Sequence, residues 1–208
     1  MSVAKILDKV TDWVKVNICT KVELKMPPSD ENAPTDAGWE DKRVNPAAFT
    51  MYVPTKEKLP PSIPSPFPSV CVRFIKGADD LSTRKGSIGI QLCFSAWNPG
   101  THGRDVMVPD PDNCMSSKRW TGKEADDYFV RNGDGWRDVW AMVDIALAEI
   151  ESVSNIDGLV IDPSVPIEFG PLTEQEAIPD YYPFWFAWVS FSILYPIARK
   201  IREVDDML

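Results

Sequence analysis

The residues able to do chemistry in this chain are few and widely separated. There is one histidine, His102, and there are four cysteines, Cys19, Cys71, Cys93 and Cys114. A single histidine excludes any zinc site that needs two from one chain, and any relay that uses histidines in separate roles. His102 lies between Cys93 and Cys114 in sequence, so a Cys/His hydrolase dyad can be written, because a nucleophilic thiol needs a nearby base. Cys93, however, falls inside an alternating apolar stretch and His102 in a Gly- and Pro-rich loop, Asn98 to Asp105. A structural thiol is the expected reading.

Other motifs resolve into turns. Asn132-Gly133-Asp134-Gly135 invites a calcium loop, but the first ligand position would be Val130 and the bidentate acid would be Ala141. Asp110-Pro111-Asp112 makes a turn without needing a cation. Gly77 to Lys85 lacks the Gly-Lys-Ser/Thr ending of a phosphate loop. Adjacent acids (Asp79-Asp80, Asp126-Asp127, Asp205-Asp206) are expected as solvated surface, and sequence spacing alone does not define a two-carboxylate glycosidase. No catalytic residue, metal or cofactor is implied.

Length and charge narrow the classes. The chain has 208 residues, 22 basic and 31 acidic, for a net charge of −9. That balance argues against a dedicated DNA-binding module, which needs a basic footprint. It permits contact with DNA that must slide past. A chain this long can bury roughly 70% of its unfolded surface, enough for one core. Cysteines at wide spacing, with no Cys-x-x-Cys pair, fit a reducing compartment. The charged start (Lys5, Asp8, Lys9, Asp12) has no uninterrupted signal core, so a cytoplasmic protein is expected. Phe184 to Tyr195 is strongly apolar but spans only twelve residues, well short of the roughly 20 of a membrane-spanning helix. Its aromatic and β-branched content reads as a buried strand.

The elements that must position these residues follow from periodicity. Val3, Ile6, Leu7, Val10 and Val14 have helical spacing, with Ser2 as N-cap. Asn17 to Met26 alternates and reads as a short strand or as a continuation of the helix. Residues 27–68 are rich in proline, which forbids a regular helix and favours an extended connector, with one strand at Phe49 to Val53. Val70 to Ile75 and Ser87 to Trp97 read as an antiparallel hairpin. Between them, Lys76 to Gly86 carries five charges and two glycines and is expected as a projecting loop.

Residues 98–132 form a long polar loop. A helix follows, capped by Asp134, with Trp136, Val139, Trp140, Val143, Leu147 and Ile150 on its core face. Val165 to Phe169 and Phe184 to Leu194 close the chain as strands, before a charged tail at Arg199 to Leu208. The whole predicts one α+β domain over 1–208: a mostly antiparallel sheet packed against an N-terminal helix and one long central helix.

Eight tryptophans are many for this length. Trp136 and Trp140 fit the helix core, and Trp185 and Trp188 fit opposite faces of a strand. Trp39, Trp97 and Trp120 find no such place and are candidates for protein contacts, where aromatics are enriched. By charge and expected exposure, the interface candidates are Asp79, Asp80, Arg84, Lys85, Trp97 and Trp120. A peptide-binding adaptor working through a sheet edge is a further reading of the same pattern.

One arrangement resembles a known family. Pro68-Ser69-Val70-Cys71-Val72-Arg73-Phe74 leads into the alternating strand Ile88 to Ala96. A Gly-Trp-Arg-Asp-Val-Trp helix start stands at Gly135 to Trp140, and Tyr181-Tyr182-Pro183-Phe184-Trp185 opens an aromatic strand ending near Pro196. This order, over about Pro66 to Pro196, resembles the tail-terminator or tail-completion proteins of long-tailed bacteriophages and prophages. The resemblance implies a non-enzymatic virion protein at the head–tail junction, made in the host cytoplasm. Such a subunit would form a ring with itself, a hexamer, capping the tail-tube protein and joining it to the head–tail connector protein. DNA would pass through the lumen without specific binding. A head–tail connector or minor capsid protein shares the same order and composition.

Overall fold

The computed structural model describes residues 2–27, 42–98, 135–175 and 177–197, with the backbone alone at 107–110 and 113–119. Predictions at His102, Trp39, Trp120, the Asp134 cap and the Arg199 to Leu208 tail lie outside these residues.

Helix α1 (Val3–Asn17) begins where expected: the Ser2 side chain accepts the Lys5 N–H at 3.3 Å. Its stripe of Ile6, Leu7, Val10 and Val14 is buried. The alternation after it does not make a strand of its full length. Cys19–Lys21 closes a 3-10 turn, and only Leu24–Lys25 is extended (β1), paired with Arg43–Val44 (β2). Strand β3 (Ala47–Thr50) starts two residues earlier than predicted and runs parallel to β4 (Ser69–Asp80). β4 pairs antiparallel with β5 (Lys85–Trp97).

The long loop holds a hairpin, β6 (Met107–Asp110) with β7 (Asn113–Arg119). Helix α2 (Arg137–Ser152) is followed by two short strands that periodicity could not show, β8 (Asn155–Ile156) and β9 (Leu159–Ile161). β10 lies at Glu168–Pro171, three residues later than predicted, and β11 (Phe184–Pro196) is the aromatic strand.

The main sheet runs β3-β4-β5-β11-β9-β8, with β10 also on β11. Every pairing in it is antiparallel except β3–β4. β5 and β11 form its spine, laddered from Trp97–Phe184 to Lys85–Pro196. The two faces of this spine differ in kind. Ile88, Ile90, Leu92, Phe94 and Ala96 alternate onto one face with Ala187, Val189, Phe191 and Ile193, and all are buried. Both helices cover this face: α1 over β3 and β4, α2 over β5 and β11. Each fully buried aliphatic or aromatic side chain contributes about 1.5–3 kcal/mol, so this unbroken row sets which way the sheet faces.

Helix α2 keeps most of its predicted face, with Trp140 and Leu147 packed against the core, and departs from it at Trp136. Its buried residues are Val139, Met142, Val143, Ala146 and Ile150. Trp136 is 39% exposed, with the Arg137 guanidinium 4.9 Å from its ring centre. The stripe turns toward Met142 and Ala146 because α2 straddles two strands, and small or flexible side chains fit between them. Polar ties hold the helices in place at their ends. Lys9 Nζ donates to the Asp157 carboxylate and carbonyl at the β8–β9 turn, each at 2.8 Å, and Lys21 pairs with Glu149. Thr11 and Thr50 share a hydroxyl hydrogen bond of 2.9 Å between α1 and β3.

Candidate functional site

The thiols are placed for packing. Cys19 is buried under α1, and desolvation pushes its thiol up to about 12 despite the opposing charge of Lys15. Cys71 and Cys93 stand directly opposite each other on the sheet face away from the helices. Desolvation again raises both, Cys93 to about 11, with the Arg73 guanidinium partly opposing the shift. A protonated thiol is a poor nucleophile.

Nor is this pair built to cross-link. The Met51 N–H donates to the Val72 carbonyl and the Ala47 N–H to the Pro68 carbonyl. The even-numbered residues there thus turn their backbone groups to β3, and Cys71 turns its own to β5. That makes Cys71–Cys93 a hydrogen-bonded pair, with Cβ atoms roughly 5.5 Å apart, wider than the about 3.5–4.5 Å of a disulfide. Both thiols are free. Cys114 lies on β7, where only the backbone is described, and His102 lies outside the described residues. Among the described residues no three His, Cys, Asp or Glu side chains gather as a metal site. No helix among them is long and apolar enough to cross a membrane.

The arm, formed by β4 beyond Arg73 and its turn back to Lys85 over the buried ends of β5 and β11, is where four of the six predicted interface residues come together. The segment Lys76 to Gly86, expected as a loop, is mostly ladder: pairing continues through Asp80–Lys85, leaving Leu81 to Arg84 as the turn. Charges and glycines disguised it, because an exposed ladder needs no apolar alternation. Asp80 shapes the tip. Its Oδ1 accepts the Ser82 N–H (2.8 Å), the Ser82 hydroxyl (2.6 Å) and the Thr83 N–H (3.4 Å), and its Oδ2 accepts the Thr83 hydroxyl (2.8 Å). These donors hold its carboxyl down at about 2. Arg84 takes a positive φ of 53° to close the turn.

Asp79 instead faces the helix side, where its Oδ1 accepts the Tyr195 hydroxyl at 2.7 Å over Gly86. Arg84 and Lys85 stand exposed at the tip, with no salt bridge among the described residues. Trp97 is placed differently. At 6% exposure it is buried within the chain, at the end of β5 that ladders with Phe184. Its position at a strand end, beside a Pro-Gly loop, gave it the look of a surface aromatic.

The arm has two features that sequence reading did not single out. A bulge at Ile75 breaks the β4–β5 register between Phe74 and Lys76, leaving Phe74 36% and Ile75 49% exposed. Leu81, at the tip, is 80% exposed. β3 ladders onto β4 only as far as Val72, so among the described residues no strand pairs with the outer edge of the arm.

At the base of the arm, on the face away from the helices, lies a groove of about 660 Å³. Ser87, Gly89, Ser190 and Ser192 make its floor, Ile75 and Lys76 one wall, and Asp162 and Val165 of the β9–β10 connection with Glu168 of β10 the other. Small floor residues on two adjacent strands are what make it concave. Asp162 accepts the Ser164 N–H (2.9 Å) and hydroxyl (2.6 Å), which hold its carboxyl below the usual range. No family model, no curated protein and no solved structure matches the chain, so its own geometry carries the functional argument.

Proposed function

We propose that this chain is a structural subunit of a phage-type tail, assembling into a closed ring that caps the tail tube and joins it to the head connector. The observation that carries the reading is the arm: the charged, exposed outer half of β4 and its turn, with Phe74, Ile75 and Leu81 in solvent and, among the described residues, no strand on its outer edge. A soluble protein ordinarily blunts such an edge or covers it. A projecting element on one side of a subunit and its receiving surface on another make a heterologous contact, which closes into a ring when the rotation permits. The resemblance of Pro66 to Pro196 to tail-terminator proteins supplies the kind of particle, and the net charge of −9 suits a lumen through which DNA passes without being trapped.

Light scattering with negative-stain imaging of the same sample tests this. Rings with a central hole, or rings formed on addition of tail-tube protein, are expected. A monomer that neither self-assembles nor binds the tube overturns the reading and leaves a peptide-binding adaptor using the same sheet edge.

A further inference from the structure

The register of the sheet polarises the groove at the base of the arm. Lys76 ladders with Gly89, Gly89 with Ser192, and the Asp162 N–H donates to the Ser192 carbonyl. These four residues form one row across β4, β5, β11 and the end of β9, on the face away from the helices. Two residues inward along β11, Arg73, Gln91, Ser190 and Glu168 form a second row. Each row has a base on β4, an acid at the far end and uncharged residues between. The opposite charges are held apart: among the described residues Lys76, Asp162 and Glu168 make no salt bridge. Three inter-strand spacings put the Cα atoms of Lys76 and Asp162 roughly 14 Å from each other.

The middle of the first row is shaped to hold something. Gly89 brings no side chain to the floor, and Ile75 and Val165 supply apolar walls. Ser192 is only 8% exposed, yet its hydroxyl has no hydrogen-bond partner among the described residues. Buried hydroxyls without a partner are uncommon in folded proteins. The volume of about 660 Å³ lies within the roughly 300–1,000 Å³ of small-molecule sites. We infer that the groove binds a lysine-like zwitterion, a carboxylate and an ammonium joined by a short methylene chain. Lys76 donates to the carboxylate, and the ammonium sits between Asp162 and Glu168 and donates to the Ser192 hydroxyl; such charge-assisted hydrogen bonds are the strong ones. The methylenes lie over Gly89 between Ile75 and Val165. An amino acid with an uncharged side chain has its two charges adjacent and cannot reach both ends of the row. This inference is independent of the ring reading, which rests on the arm.

The test is calorimetric titration of the full chain with ε-aminocaproate, which is expected to show one saturable site per chain. Lys76→Met is expected to weaken that binding by about tenfold or more and to leave the binding of cadaverine, which lacks a carboxylate, unchanged. Asp162 also braces its own turn, so the acidic end is tested with Glu168→Gln, an exposed position, which should weaken both ligands. Ser192→Ala should weaken ε-aminocaproate about fivefold without lowering the melting temperature. Comparing Nα-acetyl-L-lysine with L-lysine separates the two sources of this chemistry: binding of the acetylated form as tight or tighter assigns the site to the C-terminal lysine of a polypeptide, and tighter binding of L-lysine assigns it to the free amino acid. No saturable binding of any of these carboxylates at about 10 mM, well above a millimolar dissociation constant, overturns the inference. So does binding that both Lys76→Met and Glu168→Gln leave unchanged, or cadaverine binding as tightly as ε-aminocaproate. A wild type that binds but never forms rings keeps this inference and overturns the ring reading alone.

Discussion

The inner and outer halves of β4, laddered continuously onto β5, are put to two uses. In the inner half Val70, Val72, Leu92, Phe94 and Val189 are essentially without solvent exposure, pressed under two helices. In the outer half, from Arg73 along β4 and back to Lys85, nearly every side chain is exposed and five of them are charged at or beyond Lys76. The backbone hydrogen bonding is the same in both. What changes is the source of stability: β5 and β11 stay in the core throughout, with Ile88, Ile90, Phe191 and Ile193 buried, whereas β4 beyond Arg73 and the turn are held by backbone pairing and a few local polar braces. The bulge at Ile75 marks the border and alters the twist of the strand there. A region held this way can be altered at its surface without unfolding the core, which is what a contact surface requires.

The sharpest way to break that comparison is to truncate one residue in each half. Phe94→Ala empties a fully packed site under α2 and is expected to cost about 3–5 kcal/mol, measured by urea unfolding. Leu81→Ala is expected to change stability by no more than about 0.5 kcal/mol while weakening self-association. Equal losses of stability would erase the distinction between the halves.

Next in size is Gly135→Ala, at the entry to α2. A Cβ there would sit 2.9 Å from the carbonyl carbon of Asn98 and 2.9 Å from Nε1 of Trp185, which itself donates to the Asn98 carbonyl at 2.8 Å. The neighbour is backbone and cannot yield cheaply, so a loss of about 1–3 kcal/mol is expected in the same assay. Retention of full stability would mean that this end of the sheet is not rigid.

Tyr195→Phe removes a hydroxyl bridging β11 to Asp79 one rung from the tip of the arm, with an expected loss of about 1 kcal/mol. Faster amide exchange should be confined to Asp79, Gly86 and their neighbours. Exchange that spreads into Leu92 and Phe94 would tie the arm to the core more closely than the ladder implies.

The smallest effect is a pH dependence at the tip. The folded carboxyl of Asp80 is held at about 2, below its ordinary value of 3.8. Its bracing is therefore complete above the ordinary value and is lost as pH falls through the folded one. Protection of the Ser82 and Thr83 amides, taken as the ratio of intrinsic to observed exchange rate, should fall on acidification from pH 4 toward pH 2, and Asp80→Asn should abolish that fall.

The legible parts of the fold were those where periodicity reports burial. The alternation from Ile88 to Ala96 and the spacing from Ile6 to Val14 mark faces pressed into the core, and both stand where expected. Phe184 to Tyr195 likewise became the buried aromatic strand rather than a helix. The arm was not legible because charged, exposed residues such as Lys76, Asp79 and Lys85 alternate against nothing. Only the ladder to β5 and β11 makes them a strand. β8 and β9 are too short to show any period, and β10 is displaced toward Pro171 by its register with Ala187.

Of the site, composition pointed to Asp79, Asp80, Arg84 and Lys85 together. The groove joins Ser87 and Gly89 of β5 to Ser190 and Ser192 of β11 and to Asp162 and Val165, more than 70 residues beyond Gly89 in sequence. No local pattern encodes that juxtaposition. A run of serine and glycine on the second face of a central strand was its single sequence trace.

The most direct test of the account is the solution mass of the wild type beside that of the chain carrying Arg84→Glu and Lys85→Glu, with melting curves of both. A ring-sized wild type, a predominantly monomeric variant and, at a dilution where both are monomeric, equal unfolding free energies are predicted, because assembly itself raises the melting temperature of the wild type. Equal masses, or a variant less stable than the wild type at that dilution, would contradict the claim that the arm serves assembly and the helix-covered half serves folding.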